Sequence, residues 1–499
     1  MSRFTRTLLV AAAVCGAASS AWAFSMAGAT ANWMTHRLGY DVNPGIPVPG
    51  GAGVPFAGPM NIGEEYRWNI PVVYYGFTPD FLNYFGPRGA EEIDKAFALL
   101  NELPKASSIN PDAYPLSSQR VNHRAAALAL LDLKSIALSS VLETMGLANP
   151  ARFVFTLRAR WTTSQPDTTN YFTIRRNFDP ISWLPTSYIN GQLWTYTTII
   201  DDDGTGASFV IDEPVDPLAL LGFLNAPVTS GNPGQGFQTL LIPGGFWTGL
   251  TRDDVGGLKY IYRANNYNVE NAATNSTGTF GGGPWSSPPG TNAAGSNVVI
   301  TTGVRAGIEK IKYVRVDYDS LFGVFEPITN YWVDTVITNG GTISQNMQRP
   351  LVAPDILFDA ADLQGGDDGS QGLIGLGYAN QPWSNNNGLN GLGGNYGPGV
   401  IEPGTAAPAF VITFNAVNEI LYNWIPFDNL DELTAARFFF WGSFDGSTNA
   451  PVVYPIGLEI QELERQVLRR DPGFPWGAPP AGTGGGGGGG TGGGGTGTP

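Results

Sequence analysis

Apolar residues recur with two rhythms along this chain. In the first half, stretches with helix spacing alternate with short strand-like runs; in the second half nearly every apolar run is short and strand-like. Pro71 to Tyr75 is a compact strand-type run. Glu91 to Leu103 carries Ile93, Ala96, Phe97 and Leu100 at the spacing of one helix face. Arg124 to Leu147 is the longest helical stretch, rich in Ala and Leu, and Gly146 to Pro150 ends it. Strands are expected at Phe153 to Arg158, Tyr171 to Ile174 and Leu193 to Ile200. Asp253 to Tyr262 reads as a short closing helix. Thr251 can cap it, and the acids of its first turn suit the positive end of the helix dipole.

Beyond this point the pattern is that of a β protein. Lys310 to Tyr318 alternates between faces, and Phe410 to Phe414 is a buried-type run. Val333 to Ile343 contains Asn339-Gly340, and Phe438 to Tyr454 contains Asp445-Gly446, both hairpin signals. Short strands divided by turn residues favour a β-sandwich. Gly365 to Gly399 reads as a Gly/Asn-rich insertion, and Leu458 to Arg470 as a terminal helix or a charged strand. Asn271 to Ser296 is rich in Asn, Thr, Ser, Gly and Pro and has little to bury. The expected plan is a leader over 1–23, a Gly/Pro-rich lead-in over 24–63 wrapped on the surface, an α+β domain over 64–268, a linker over 269–296, an antiparallel β-sandwich over 297–470 and a Gly/Thr-rich tail over 471–499. Such a tail cannot bury enough apolar surface to offset its ordering entropy and is expected to be disordered.

Composition adds an address. Arg3 and Arg6 give a basic start, Leu8 to Ala18 is apolar, and Ala21-Trp22-Ala23 has the small-x-small form of a cleavage site. Cleavage is expected after Ala23, because the apolar run is too short to span a bilayer. No later stretch of sequence is long and apolar enough to cross a membrane, so an exported protein of the cell envelope or extracellular space is expected. The net charge of −15 offers no basic face for a nucleic acid. Charged residues are 14% of the chain, well under the usual share of roughly 25%, which with 67 glycines suits a β-rich extracellular protein with long loops. The only cysteine, Cys15, lies in the leader, so the mature chain is expected to stand without disulfides. His36 and His123 are the only histidines, too few for the usual zinc hydrolase.

The order strand, helix, long helix, closing helix resembles the zincins, and among them the matrixin and metzincin metalloproteases. Tyr66 to Tyr75 looks like the family's first strand, Ile93 to Leu100 like its first helix and Leu250 to Tyr262 like its last, so the resemblance spans about residues 66 to 263. The family's zinc motif, H-E-x-x-H-x-x-G-x-x-H, falls best on Ser139 to Asn149, with Gly146 at the glycine position. The ligand positions hold Ser139, Glu143 and Asn149, and the general-base position holds Ser140. One carboxylate without imidazole is too small a donor set for tetrahedral zinc. The resemblance therefore implies a degenerate zincin-like α/β scaffold, without zinc and without protease activity.

Asp201-Asp202-Asp203-Gly204-Thr205-Gly206 is the densest acidic cluster. Asp201, Asp203 and Thr205 fall at the first, third and fifth places of a calcium loop, Gly206 at the sixth and Asp212 at the twelfth. Calcium is thus the cofactor to expect, if any, with Asp201, Asp203, Thr205 and Asp212 as ligands; a solvated hairpin turn is the competing reading. His123 and His36 have no acidic or histidine neighbours that point to catalysis. No G-x-S-x-G elbow, P-loop or dinucleotide fingerprint occurs. Trp285, Trp332, Trp383 and Trp441 are candidates for stacking on sugars, though tryptophans of β-sandwiches more often belong to the core. The leading expectation is a non-catalytic envelope or matrix protein with a structural or interaction role. A carboxylate-dependent hydrolase and a glycan-binding module are the alternatives.

Overall fold

Thr78 starts the longest helix. Its hydroxyl accepts the Phe81 N–H at 3.1 Å, and Pro79 at the first helical position has no N–H to satisfy. The computed structural model describes residues 23–29, 56–57, 60–148, 150, 154–164, 167–200, 208–216, 243–280, 299–319, 323–364, 374–376, 383–385, 403–407, 409–414 and 440–468. Along these, the chain forms β1 (Ser25–Met26), β2 (Val72–Phe77), α1 (Pro79–Glu102), α2 (Leu133–Thr144), β3 (Leu147–Ala148), β4 (Gln192–Ile200), β5 (Ser208–Pro214) and α3 (Arg252–Tyr262). There follow β6 (Asn268–Asn271), β7 (Thr277–Phe280), β8 (Thr302–Arg305), β9 (Lys312–Arg315), β10 (Ile328–Thr338), β11 (Gly341–Leu351), β12 (Ile356–Asp359), β13 (Ile374–Leu376) and β14 (Phe410–Phe414). Shorter strands and turns of helix lie between them.

The central sheet has the order β9-β2-β12-β14-β13. The first four strands are parallel, with Lys312 beside Val72, Ile356 beside Tyr75 and Phe410 beside Ile356; β13 alone runs antiparallel, against β14. Helix α1 lies across this sheet and buries Phe81, Phe85, Ile93, Phe97 and Leu100. Tyr75 stacks on Phe97 at 3.8 Å and Phe77 on Phe81 at 4.8 Å, and Phe85, Phe358, Phe414 and Trp441 continue the aromatic core. Gly86, with φ of 64°, and Pro87 kink α1 within this contact.

A second sheet is antiparallel, in the order β6-β8-β10-β11-β7. Its spine is the β10–β11 hairpin, paired from Ile328 with Leu351 to Thr338 with Gly341 around the Asn339-Gly340 turn. Buried ion pairs fasten this sheet to the rest. Arg67 pairs with Glu270 at 2.5 Å and donates to the carbonyls of Ile261, Asn266 and Arg305. Arg349 on β11 pairs with Asp355 at 2.7 Å, whose carboxylate also accepts the N–H of Tyr74 on β2.

This pairing corrects the expected division at 269–296. Strands β9, β12 and β14 come from the stretch expected to form a separate β-sandwich, yet they pair in one sheet that includes β2. Strands β6 and β7 flank or enter the expected linker and form the edges of the antiparallel sheet. An apolar run shows that a strand is buried but not which strand lies beside it. The lead-in also differs from expectation where it is described. Phe24 and Met26 are buried, and β1 pairs with β3. The long helical stretch is broken in two. A short helix, His123–Ala127, stops at Ala129 with φ of 55°, Leu130–Asp132 is a strand, and Asp132 then caps α2 through the Ser135 N–H at 2.9 Å. The terminal stretch forms a helix, Ile460–Leu468, while the tail beyond it lies outside the described residues.

Candidate functional site

The positions that the zincin resemblance marks out lie on α2, which is enclosed on every side. All its residues except Lys134 are buried, with Ser139, Ser140 and Glu143 no more than 2% exposed. Ser140 turns its hydroxyl back to the Ile136 carbonyl at 3.1 Å. The helix packs on α1, on β14 and on the strand Phe440–Ser443. It thus serves as core, and its side chains do not face a cleft. Asn149 lies outside the described residues. Gly146 ends the helix with φ of 93°, and Met145 passes its carbonyl to the Tyr262 hydroxyl at 2.9 Å, which ties α2 to α3.

Of the candidate calcium ligands, Asp201, Asp203 and Thr205 fall outside the described residues. The strands on either side are placed: β4 and β5 pair antiparallel, with Ile200 opposite Ser208, so residues 201–207 connect a hairpin. Asp212 lies opposite Tyr196, four residues beyond Ser208. That is about 13 Å along the strand at the usual rise. Among the described residues no three His, Cys, Asp or Glu side chains gather as a metal site. His123 is exposed at the start of its short helix.

Four acids are buried and held toward the neutral form. Burial raises Asp132 to about 6 although Ser135 donates to it twice, and Asp132 serves as the cap of α2. Burial raises Asp253, in the first turn of α3, to about 8 against the N–H groups of Asn190 and Ala23, which donate to it. Burial also raises Glu270 and Asp355, opposed by Arg67 and Arg349 respectively. Each of the four has a structural partner, and none is more than 1% exposed. Such acids hold the fold and are not placed to meet a substrate.

The surface points elsewhere, to the outer face of the antiparallel sheet. Along β10, Tyr331 is 70% exposed and Val333 62%, with Thr335 exposed beyond them. Opposite these on β11 stand Gln348, Asn346 and Ser344, all exposed. Gln348 donates to the Thr277 hydroxyl of β7 at 3.1 Å, and Val269 of β6 extends the same face at the other edge. None of these residues is charged. The charges sit on the inner face: Arg305 pairs with Asp334 at 2.9 Å, Gln345 donates to the same carboxylate at 2.8 Å, and Glu270 and Arg349 are buried. A sheet with one wet face ordinarily carries its charges outward. Here the usual arrangement is inverted.

Of the tryptophans singled out as sugar platforms, Trp332 and Trp441 do not make this face. Trp441 is core, Trp332 packs inward, Trp285 lies outside the described residues, and only the backbone of Trp383 is described, in the strand Trp383–Asn385. The alternation from Ile328 onward separates Tyr331 and Val333 from Trp332, but alternation alone does not say which set faces water. Among the described residues no helix is long and apolar enough to cross a membrane. No protein-family model matches the chain, and no curated protein and no solved structure matches it either.

Proposed function

We propose that the chain is an exported, non-catalytic protein of the cell envelope or extracellular matrix that works by contact, through the outer face of its antiparallel sheet. The observation that carries this reading is the inversion of charge across that sheet. An uncharged face of Tyr, Val, Thr, Asn, Ser and Gln is inexpensive to desolvate and rich in hydrogen-bonding groups. An exposed tyrosine adds a flat ring that stacks on sugars, so neutral glycans of the envelope or matrix are the favoured partner class. The test is retention on neutral polysaccharides and on isolated envelope material. Wild type should be retained, and Tyr331→Ala combined with Val333→Ser should not be, at unchanged melting temperature. Equal retention of both proteins would remove this face from consideration. Turnover of a polysaccharide or peptide, lost on changing one acid with the fold intact, would replace the reading with that of a hydrolase.

The scaffold itself is best read as a zincin-like one that has lost its metal chemistry. In support, the segments that carry the resemblance share one core: α1 packs on α2, and α2 is joined to α3 through Tyr262.

A further inference from the structure

The amino-terminal strand enters the core beside a buried acid. Ala23 is 0% exposed, and its backbone N–H donates to Oδ2 of Asp253 at 3.1 Å. The N–H of Asn190 donates to the same oxygen at 2.7 Å. Oδ1 has no hydrogen-bond partner among the described residues. The adjoining Arg252 directs its guanidinium to Asp112, with Nε at 2.9 Å. The strand is fixed in this position. Phe24 and Phe178 exchange backbone hydrogen bonds at 3.0 and 2.9 Å, and the Phe24 ring lies 5.8 Å from that of Tyr260. Gly257 of α3 leaves the room for it, since a Cβ there would come within 3.1 Å of the Phe24 side chain.

We propose that leader removal completes this site: the new amino terminus at Phe24 lodges as an ammonium against Asp253 and locks the mature fold. The inference rests on the export reading, because the leader cut creates the amine. In that cut water adds across the Ala23–Phe24 peptide bond. The oxygen goes to the Ala23 carbonyl, which departs with the leader as a carboxylate, and the released amine takes up a proton. The Phe24 nitrogen lies one residue, about 3.8 Å of chain, from that of Ala23. An ammonium has three donors. One keeps the Phe178 carbonyl, and the others face the space that Ala23 vacates, where Asp253 waits, directly or across one water. Among the described residues of the uncut chain, only neutral groups donate to this carboxylate. A buried carboxylate gains most from a countercharge where water is excluded.

Amino-terminal sequencing of the exported protein locates the cut. Melting is then compared for chains beginning at Phe24 and at Ser19, each with and without Asp253→Asn. The substitution should lower the melting temperature of the Phe24 chain by several degrees, and leave unchanged or raise that of the longer chain. The same shift in both chains overturns the proposal. Should the variant fail to fold, the wild-type Phe24 chain is treated with an acylating reagent. Its terminal amine should react slower by about tenfold or more than in the unfolded chain, as for a group reached only by local opening. Equal rates overturn the proposal. A terminus that retains residues ahead of Ala23 overturns the cleavage site and the docking together; a terminus at Phe24 with equal shifts overturns the docking alone.

Discussion

At Gly146 the backbone turns with φ of 93°, and a Cβ there would lie 2.0 Å from the Tyr66 carbonyl oxygen. The turn and the close approach both demand glycine, so Gly146→Ala should destabilise by more than about 2 kcal/mol in urea unfolding. Asp132 makes a second demand, this time on pH. Its folded pKa of about 6 lies above the ordinary 3.8, because burial disfavours the charge. Its contribution is therefore complete below about pH 4 and lost as pH rises through about 6. The loss is on the order of 3 kcal/mol for a shift of that size. Asp132→Asn keeps a capping oxygen but cannot ionise. Melting followed from pH 4 to 7 should fall for wild type and run flatter for the variant; parallel curves would show that Asp132 does not govern this range.

Among the elements, those specified locally could be read from the sequence. Thr251 caps α3, with Asp254 accepting the Thr251 N–H at 2.7 Å, and Asn339-Gly340 closes the β10–β11 hairpin, because both signals lie within a few residues of what they control. The break at Ala129 was hidden, since Ala and Leu favour helix at every position around it. Its only trace was Asp132, a capping residue within an apolar run. The partners of β2 were hidden for a different reason: parallel strands are joined by hydrogen bonds that carry no sequence mark. The uncharged outer face of the antiparallel sheet was half legible, as alternation sorted Tyr331 from Trp332 without choosing the wet side. For the acidic hairpin, the register separates the candidate ligands. Asp201 and Asp203 belong to the connection, whereas Asp212 stands well down β5. If the cluster holds calcium, millimolar calcium should raise the melting temperature of wild type and of Asp212→Ala but not of Asp203→Ala. No response in wild type would leave the cluster as a solvated turn.

For the whole molecule, the decisive contacts are those that join distant parts of the chain. Arg67 is buried between α3 and the antiparallel sheet, and its ion pair with Glu270 closes that junction. Arg67→Met would leave the carboxylate buried without its partner and should cost about 3–5 kcal/mol. A loss under about 1 kcal/mol, the size seen for exposed pairs, would show the junction to be open to water. The central sheet reaches further still, for Val72 pairs with Lys312, 240 positions later, and Tyr75 with Ile356. This order of strands sets a timetable. While the chain is being made, β2 and α1 emerge early, but the neighbours of β2 on both sides arrive only after more than half of the polypeptide has been made. Bringing such remote segments together is slow, since closure entropy must be overcome before any contact rewards it. The first half of the nascent protein therefore waits unfinished, its aromatic helix face uncovered, and the last strands to be synthesised release the cooperative collapse of the whole. A chain ending at residue 300 should accordingly lack a sharp thermal transition and bind hydrophobic dyes, where the full chain melts cooperatively.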